Sequence, residues 1–148
     1  MPLRKARRDE LPRILQLLLD DDLAHEREDM SKGLAPYEAA FDAIVADANN
    51  VLYVWDENGF AVGCVQLTFV PCLSYQGAWI AQAEGVRVDR ALRGQRIGEK
   101  MMQAIMGIAR ERGCRSLQLK SDKRRTAAHR FYERIGMRMS HEAMTVDL

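Results

Sequence analysis

The sequence predicts an α+β fold, and the order of its periodic segments carries that prediction. Two strand-like segments joined by a tight turn occupy the middle of the chain, and helical segments alternate with strands after them. Hairpins favour antiparallel pairing, whereas strand–helix–strand crossovers favour parallel pairing. At 148 residues the chain has the size of one ordinary domain. We therefore expect a single domain over 1–148 with a mixed, mostly antiparallel sheet and helices on both faces.

Two helices are predicted in the first third of the chain, after one short strand. Apolar residues at helical spacing predict an amphipathic helix over 9–20. Pro12 is compatible with this helix because it falls in the first turn. A second helix is expected after Pro36, with a buried side formed by Ala40, Phe41, Ile44 and Val45.

The strands of the middle region follow from β-branched and aromatic residues. A hairpin is predicted from a strand at 51–55, an Asn-Gly turn at 56–59 and a returning strand at 60–70 that Pro71 ends. A further strand is predicted at 78–88.

Helical spacing returns near Ile97 and predicts a helix that ends at Gly113. A short strand at 116–119 and a last helix that ends at Gly136 are expected after it. Two short strands are expected to close the chain, near 137–139 and 143–146.

Composition and charge narrow the classes of function. Lys and Arg total 22 against 21 Asp and Glu, and a net charge of +1 gives no bulk attraction for nucleic acid or an anionic membrane. The three cysteines form no Cys-x-x-Cys pair, which disfavours a zinc site and a disulfide framework. No apolar run approaches the ~18 residues that span a bilayer. We expect a cytoplasmic protein with no metal, no nucleic-acid partner and no membrane partner.

One segment has the features of an anion site. Residues 84–88, the end of the predicted strand at 78–88, lead into a turn with two glycines, Gly94 and Gly98, and that turn opens a long helix. Such a turn directs unpaired backbone N–H groups and the positive end of the helix at one point, where a phosphate can bind. The segment is neither a Walker A loop nor a dinucleotide fingerprint. Taken alone, it is equally consistent with a plain strand–helix turn.

The acetyl-CoA signature of the GNAT acetyltransferase superfamily, usually written Arg/Gln-x-x-Gly-x-Gly/Ala, resembles the run Arg93-Gly94-Gln95-Arg96-Ile97-Gly98. The strand ahead of it, with Glu84, Val86 and Val88, is similar to that family's fourth strand. The segment 128–137, which contains Phe-Tyr-Glu-Arg-Ile-Gly-Met, resembles the family's Phe-Tyr-x-x-x-Gly-Phe helix. Three signals in the correct order and spacing are far more specific than any one of them.

The resemblance implies a sheet splayed between strands 4 and 5, with acetyl-CoA as co-substrate. Its pantetheine arm would bond to the main chain at Val86 and Val88. Residue Ser121, in the basic run 120–125, would lie near the nucleotide end, although a solvated loop is the alternative. The diphosphate would be held by Arg93, Gly94, Gln95, Arg96, Ile97, Gly98 and Glu99.

Arg96 departs from the signature, which most often has a glycine at that position. If the position requires a positive φ, a residue with a long side chain costs about 1 kcal/mol or more. The donors of the loop are backbone N–H groups, so an arginine can serve if its side chain extends into solvent.

The resemblance also implies two catalytic residues for direct attack of an amine on the thioester. Glu84 matches a glutamate that acts as general base in polyamine-acetylating members, and Tyr132 matches the tyrosine that donates toward the departing thiolate. A salt-bridged strand carboxylate and a core aromatic are the respective alternatives. His129 is a further, weaker candidate for a proton relay.

The acceptor stays open among small amines, amino sugars, peptide N-termini and lysine. The acidic segment 20–29 suggests a cationic acceptor, although such runs are more often solvated loops. A homodimer is compatible with the resemblance. The alternative function is a non-catalytic, acyl-CoA-binding regulatory domain.

Overall fold

The computed structural model describes residues 2–148, whose packing groups the chain into two compact units. The first unit extends to Gln118, and the second is Leu119–Leu148. The prediction of one domain over 1–148 stays a prediction.

A five-stranded sheet forms the centre of the first unit. The strands lie in the sheet in the order of the sequence, and all neighbours are antiparallel except the last pair, which is parallel. The predicted mixed, mostly antiparallel sheet is therefore confirmed. The strands are β1 (Leu3–Lys5), β2 (Asn50–Glu57), β3 (Phe60–Pro71), β4 (Trp79–Val88) and β5 (Cys114–Gln118).

Four of the five α-helices within residues 2–148 coincide with helical periodicity in the sequence. The exception is the single turn α3, in which Tyr75 and Gln76 have left-handed backbone angles. The predicted helix ends differ from the observed ones by only one or two residues. The helices are α1 (Leu11–Leu19), α2 (Ala35–Ala46), α3 (Ser74–Gly77), α4 (Ile97–Glu111) and α5 (Thr126–Arg134).

Helices cover both faces of the sheet within the first unit, as predicted. On one face α1 contributes to a buried cluster that contains Ile14, Leu17, Val54, Ala61 and Cys64. On the other face α4 lies so close that a Cβ added at Gly63 would be 3.4 Å from Met101 Sδ. Because Gly63 and Cys64 are consecutive in a strand, they face opposite sides of the sheet. The sheet is thus the middle layer of three.

The hairpin turn between β2 and β3 has the predicted chemistry. Asn58 and Gly59 have φ angles of 55° and 84°, and two positive values are what a type I′ turn requires. The Gly59 N–H donates to Asp56 Oδ1 at 2.7 Å, which closes the turn.

The predicted buried side of α2 is only partly correct. Phe41 is buried, but Ala40 is exposed and Val45 is 66% exposed. The helix packs mainly on β2, whereas α1 packs on both β3 and β4. A helix that lies over one strand near the edge of a sheet can bury only a narrow stripe.

The two terminal strands predicted near 137–139 and 143–146 are wrong. Residues 137–148 carry no strand, and Met139, Met144 and Val146 are 74%, 95% and 80% exposed. The apolar pattern is that of a strand, but a strand also needs a hydrogen-bonded neighbour, and these residues have none.

Candidate active site

The strand β4 contains a β-bulge next to Glu84. In the pairing with β3, Gln66 lies opposite Glu84 and Cys64 lies opposite Arg87. A single residue of β3 therefore faces two residues of β4, Gly85 and Val86. Gly85 has a φ of +63°, a conformation that glycine adopts at little cost and that is typical of one class of bulge. Bulges of this kind are common beside active sites.

The bulge changes which residues share a face with Glu84. Simple alternation predicts that Glu84, Val86 and Val88 lie on one face, but Val88 is opposite Gly63, whereas Glu84 is opposite Gln66. Glu84 and Val88 therefore lie on opposite faces, because the extra residue shifts the alternation by one. The predicted shared face is wrong. Glu84 instead lies beside Gln66 and is exposed.

Both carbonyl groups of the bulge are bonded. The thiol of Cys64 donates to the Gly85 carbonyl at 3.5 Å, and Arg87 Nη1 donates to the Val86 carbonyl at 2.8 Å. In a trans peptide the N–H points opposite to the C=O. The N–H of Val86 is consequently directed away from the Cys64 thiol.

The second half of β4 has a free edge in the part of the chain that the structure describes. The strand β5 pairs only with residues 79–82 of β4, from Trp79 opposite Cys114 to Gln82 opposite Gln118. Residues 83–88 have β3 on one side and no residue of β5 on the other. A free strand edge can bond an extended chain through its main-chain groups. This opening fits a pantetheine arm, which carries two amide groups.

A short loop connects this free edge to α4. Asp89 Oδ1 accepts from the Ala91 N–H at 2.9 Å, and one 3₁₀ turn (Arg90–Leu92) follows. Gly94 has a φ of +89°, although a Cβ there would meet no atom within 4 Å. The glycine is therefore required by the backbone conformation and not by lack of space.

The N-terminus of α4 has the geometry of an anion site. No side chain caps it, and the first bond of the helical ladder runs from the Lys100 N–H to the Arg96 carbonyl at 3.0 Å. The N–H groups of Ile97, Gly98 and Glu99 thus lack acceptors within the helix. Residues 93–96 are exposed, so a ligand has access. These features fit a diphosphate, which accepts several N–H groups at the positive end of a helix. We call residues 93–99 the cradle.

Arg96 occupies the left-handed region, with φ 61° and ψ 21°. The position thus requires a positive φ, which explains why the signature most often has a glycine there. Its side chain is exposed. The arginine therefore leaves the backbone N–H groups of the cradle accessible, at a conformational cost of about 1–2 kcal/mol.

The acidic segment after α1 is bonded to arginines. Asp21 pairs with Arg87 at 2.8 Å, and Asp20 pairs with Arg90 at 2.8 Å. These pairs engage part of the acidic segment, whereas the side chain of Asp22 is 96% exposed. The expectation of a cationic acceptor stays a prediction. Local spacing gives no signal for these pairs, since Asp21 and Arg87 are 66 residues apart.

The cysteines are free thiols, as expected. Cys64 is 1% exposed, and burial raises its pKa to about 12. Burial also raises the pKa of Cys114. A thiol with a raised pKa is protonated at neutral pH and is a poor nucleophile. Neither residue is suited to carry an acyl group.

The remaining predicted site residues lie in the second unit. Ser121 is half-buried in the loop ahead of α5. Tyr132 is half-buried on α5, where its ring meets that of Phe131 edge to face with centroids 5.2 Å apart. His129 Nε2 donates to the Asp122 carbonyl at 3.0 Å. That bond gives His129 a structural role at the start of α5.

Two classes of site are absent from residues 2–148. No cluster of three or more His, Cys, Asp and Glu side chains there could hold a metal ion. None of the helices in the same range is long and apolar enough to cross a membrane.

The comparison with known families decides the assignment. The model of the acetyltransferase (GNAT) family matches residues 11–137. The chain belongs to the GNAT acetyltransferase family. The match spans β4, the cradle and α5, which are the elements that carry the resemblance in the sequence.

Individual relatives agree with the family. The aminoalkylphosphonate N-acetyltransferase of Salmonella typhimurium is 30% identical over 109 residues, which cover 74% of this chain and 70% of that protein. The glucosamine 6-phosphate N-acetyltransferase of Trypanosoma brucei brucei is 30% identical over 90 residues, 61% of this chain and 59% of that protein. A solved structure of a transcriptional regulator from Bacillus halodurans has a TM-score of 0.93 and 41% identity, and covers 99% of this chain and 98% of that one.

The backbone strain at Arg96 leads to a prediction about stability. Arg96→Gly removes about 1–2 kcal/mol of left-handed strain but gains about 0.5–1 kcal/mol of freedom in the unfolded chain. We expect its free energy of unfolding to equal or exceed the wild-type value by up to about 1 kcal/mol, measured in denaturant. The matched variant is Gly94→Ala, which introduces strain in the same loop and should lose about 1 kcal/mol. A loss above about 2 kcal/mol for Arg96→Gly contradicts the strain argument.

Proposed function

We propose that the protein is an acetyl-CoA-dependent N-acetyltransferase in which an amine attacks the thioester directly. The observation that carries the proposal is the junction between the free half of β4 and the uncapped N-terminus of α4. These two features lie at opposite ends of one short loop, residues 89–96. An extended amide chain fits the first and a diphosphate fits the second, and coenzyme A contains both in that order.

The main chain does most of the cofactor binding in this proposal. The backbone of Val86 and Val88 holds the pantetheine arm, and the N–H groups of the cradle hold the diphosphate. Ile97 is 4% exposed, so it contributes only its N–H. Ser121 contacts the nucleotide end. Acetyl-CoA, when bound, supplies an activated thioester carbonyl.

Glu84 acts as the general base in this proposal. An alkyl amine with a pKa near 10.4 is only about 0.04% neutral at pH 7, a deficit of roughly 4.6 kcal/mol. A carboxylate that takes the proton, directly or through water, removes much of this deficit. Glu84 is exposed, and no salt bridge in the described part of the chain engages it. In this proposal the incoming amine approaches on the face of the sheet that carries Gln66 and Gln82.

Tyr132 acts on the leaving group in this proposal. A free phenol has a pKa of about 10 and a free thiol one of about 8.5, so full proton transfer between such groups is uphill by roughly 2 kcal/mol. A hydrogen bond from the phenol to the developing thiolate requires no such transfer and stabilises charge where it appears.

We propose small primary amines as the acceptors and the cytoplasm as the location. The two curated relatives are named for an aminoalkylphosphonate and for glucosamine 6-phosphate. Both compounds combine an amine with a phosphorus oxyanion. They therefore belong first in any panel of acceptors.

A second candidate function is acyl-CoA binding without catalysis. The solved structure that is 41% identical to this chain is described as a transcriptional regulator. A regulator of this kind would keep the cradle and the free edge of β4 but would not need a base at Glu84.

Release of free thiol from acetyl-CoA separates the two functions. With the panel of amines we expect thiol release that depends on the amine. We also expect a product whose mass exceeds that of the amine by the mass added on acetylation. Propionyl-CoA at the same concentration tests whether the transfer is specific for the acetyl group. Saturable binding of coenzyme A without thiol release for any amine would favour the regulator.

Glu84→Gln should lower kcat by about 100-fold near pH 7, because an amide cannot accept the proton. The loss should shrink as the pH approaches 10, where the amine is already neutral. The measurement is kcat against pH for both proteins. The matched control is Glu111→Gln, an exposed carboxylate at the end of α4, which should behave as wild type. Equal activity of Glu84→Gln and wild type across this range would remove Glu84 as the base.

Tyr132→Phe should lower kcat by about tenfold, the value of one hydrogen bond to a charged atom. The KM for acetyl-CoA should change little, because the ring is retained. Steady-state kinetics measure both constants. Tyr75→Phe alters an exposed tyrosine on α3 and serves as the control. An unchanged kcat for Tyr132→Phe would assign this residue to packing alone.

A further inference from the structure

We propose that Asp21 and Arg87 form a positioning pair that fixes the Gly85–Val86 bulge of β4. The inference rests on the proposed acetyl transfer, because it gives the bulge its task of holding the reactive end of the cofactor. Neither residue belongs to the signature of the cradle or to the catalytic pair.

The guanidinium of Arg87 joins two elements of the first unit. Its Nη1 donates to the Val86 carbonyl at 2.8 Å, and its Nη2 donates to Asp21 Oδ2 at 2.8 Å. The planar fork of an arginine suits two acceptors at a fixed angle. Arg87 thereby connects the bulge to the chain that follows α1.

The carboxylate of Asp21 is itself held in place. Its Oδ1 accepts from the Leu23 N–H at 2.9 Å, and its Oδ2 also lies 3.5 Å from Arg27 Nη1. The Asp21 side chain is 4% exposed, against 19% for Arg87. A pair that is largely removed from water is weakly screened by salt and keeps a defined geometry.

Two other ion pairs flank this one. Arg13 of α1 pairs with Asp89, and their side chains are 18% and 27% exposed. Arg90 pairs with Asp20, and their side chains are 50% and 47% exposed. An exposed pair such as Arg90–Asp20 contributes little to stability and is screened by salt. Of these three pairs, Asp21–Arg87 is the one that also bonds the backbone of the bulge.

The glycine in the bulge leaves its conformation weakly fixed. Glycine has more conformational freedom than any other residue type, so Gly85 allows the backbone to form the bulge but does not hold it in one conformation. A buried ion pair is seldom a net source of stability compared with an apolar pair. The contribution of the pair is to orient the backbone. Because the Val86 carbonyl is held in place, the adjoining peptide group is held as well, and so is the main chain that would bind the pantetheine arm.

The first test is a double-mutant cycle on kcat. Asp21→Asn removes the charge, and Arg87→Lys leaves a single ammonium in place of the fork. Each change should lower kcat by about tenfold, and the double variant should lose no more than either single variant, because both break one unit. The affinity for coenzyme A should fall by a smaller factor than kcat, because the hold on the pantetheine arm is weakened while the N–H groups of the cradle are untouched. Asp42→Asn, which breaks the exposed pair with Arg8, is the control.

Independent losses that multiply to about 100-fold in the double variant would overturn the proposal. A loss that merely follows the fraction of unfolded protein, measured by thermal unfolding of each variant, would also overturn it.

The second test uses the wild-type protein and does not depend on activity. The Leu23 N–H is bonded to Asp21, so its hydrogen exchange reports on the position of the carboxylate. Addition of coenzyme A should slow exchange at Leu23 as well as at Gly98 and Glu99, because a ligand that binds the fixed strand disfavours opening of the pair. Protection of the cradle with unchanged Leu23 would overturn the positioning pair alone. No protection at any of these amides would overturn the proposed cofactor and, with it, this inference.

Discussion

The arrangement of the first unit depends on the strand β4, which is paired on both sides at its start and on only one side at its end. β4 is paired on both sides over residues 79–82 and on one side over residues 83–88. The buried Ala81 and Ala83 keep the middle of the strand in the core, while Glu84 is exposed where the strand becomes one-sided. One strand thus combines a rigid base with an open edge. A side chain at that transition is held by the core and remains accessible.

Charge is distributed so that few groups are left uncompensated around β4. Arginines of α1, of β4 and of the loop after β4 form ion pairs with Asp20, Asp21 and Asp89. The near-neutral composition therefore reflects pairing across the fold and not an absence of charged surfaces. Against this background Glu84 is distinct, because it is exposed and none of the salt bridges among residues 2–148 engages it.

The features that local chemistry determines were predictable from the sequence. The Asn58–Gly59 turn, the period of α1 and the strand–loop–helix order around the cradle all follow from residues that are close in the chain. The bulge was not predicted, although a glycine inside a strand is a recognised signal for one. The stripe buried by α2 and the pairing of Asp21 with Arg87 depend on distant elements. The prediction of two terminal strands failed because an apolar pattern typical of a strand does not specify which strand will pair with it.

The left-handed Arg96 lies directly ahead of a helix whose Met101, Met102 and Ile105 are fully excluded from solvent. Residues 93–96 are exposed, whereas the helix is anchored in the core from Ile97 onward. The loop and the helix therefore open at different free energies, and the loop can loosen while the helix remains docked. Entry of a long, flexible ligand then requires only the loosening of a few amides, and its departure leaves the hydrophobic layer undisturbed.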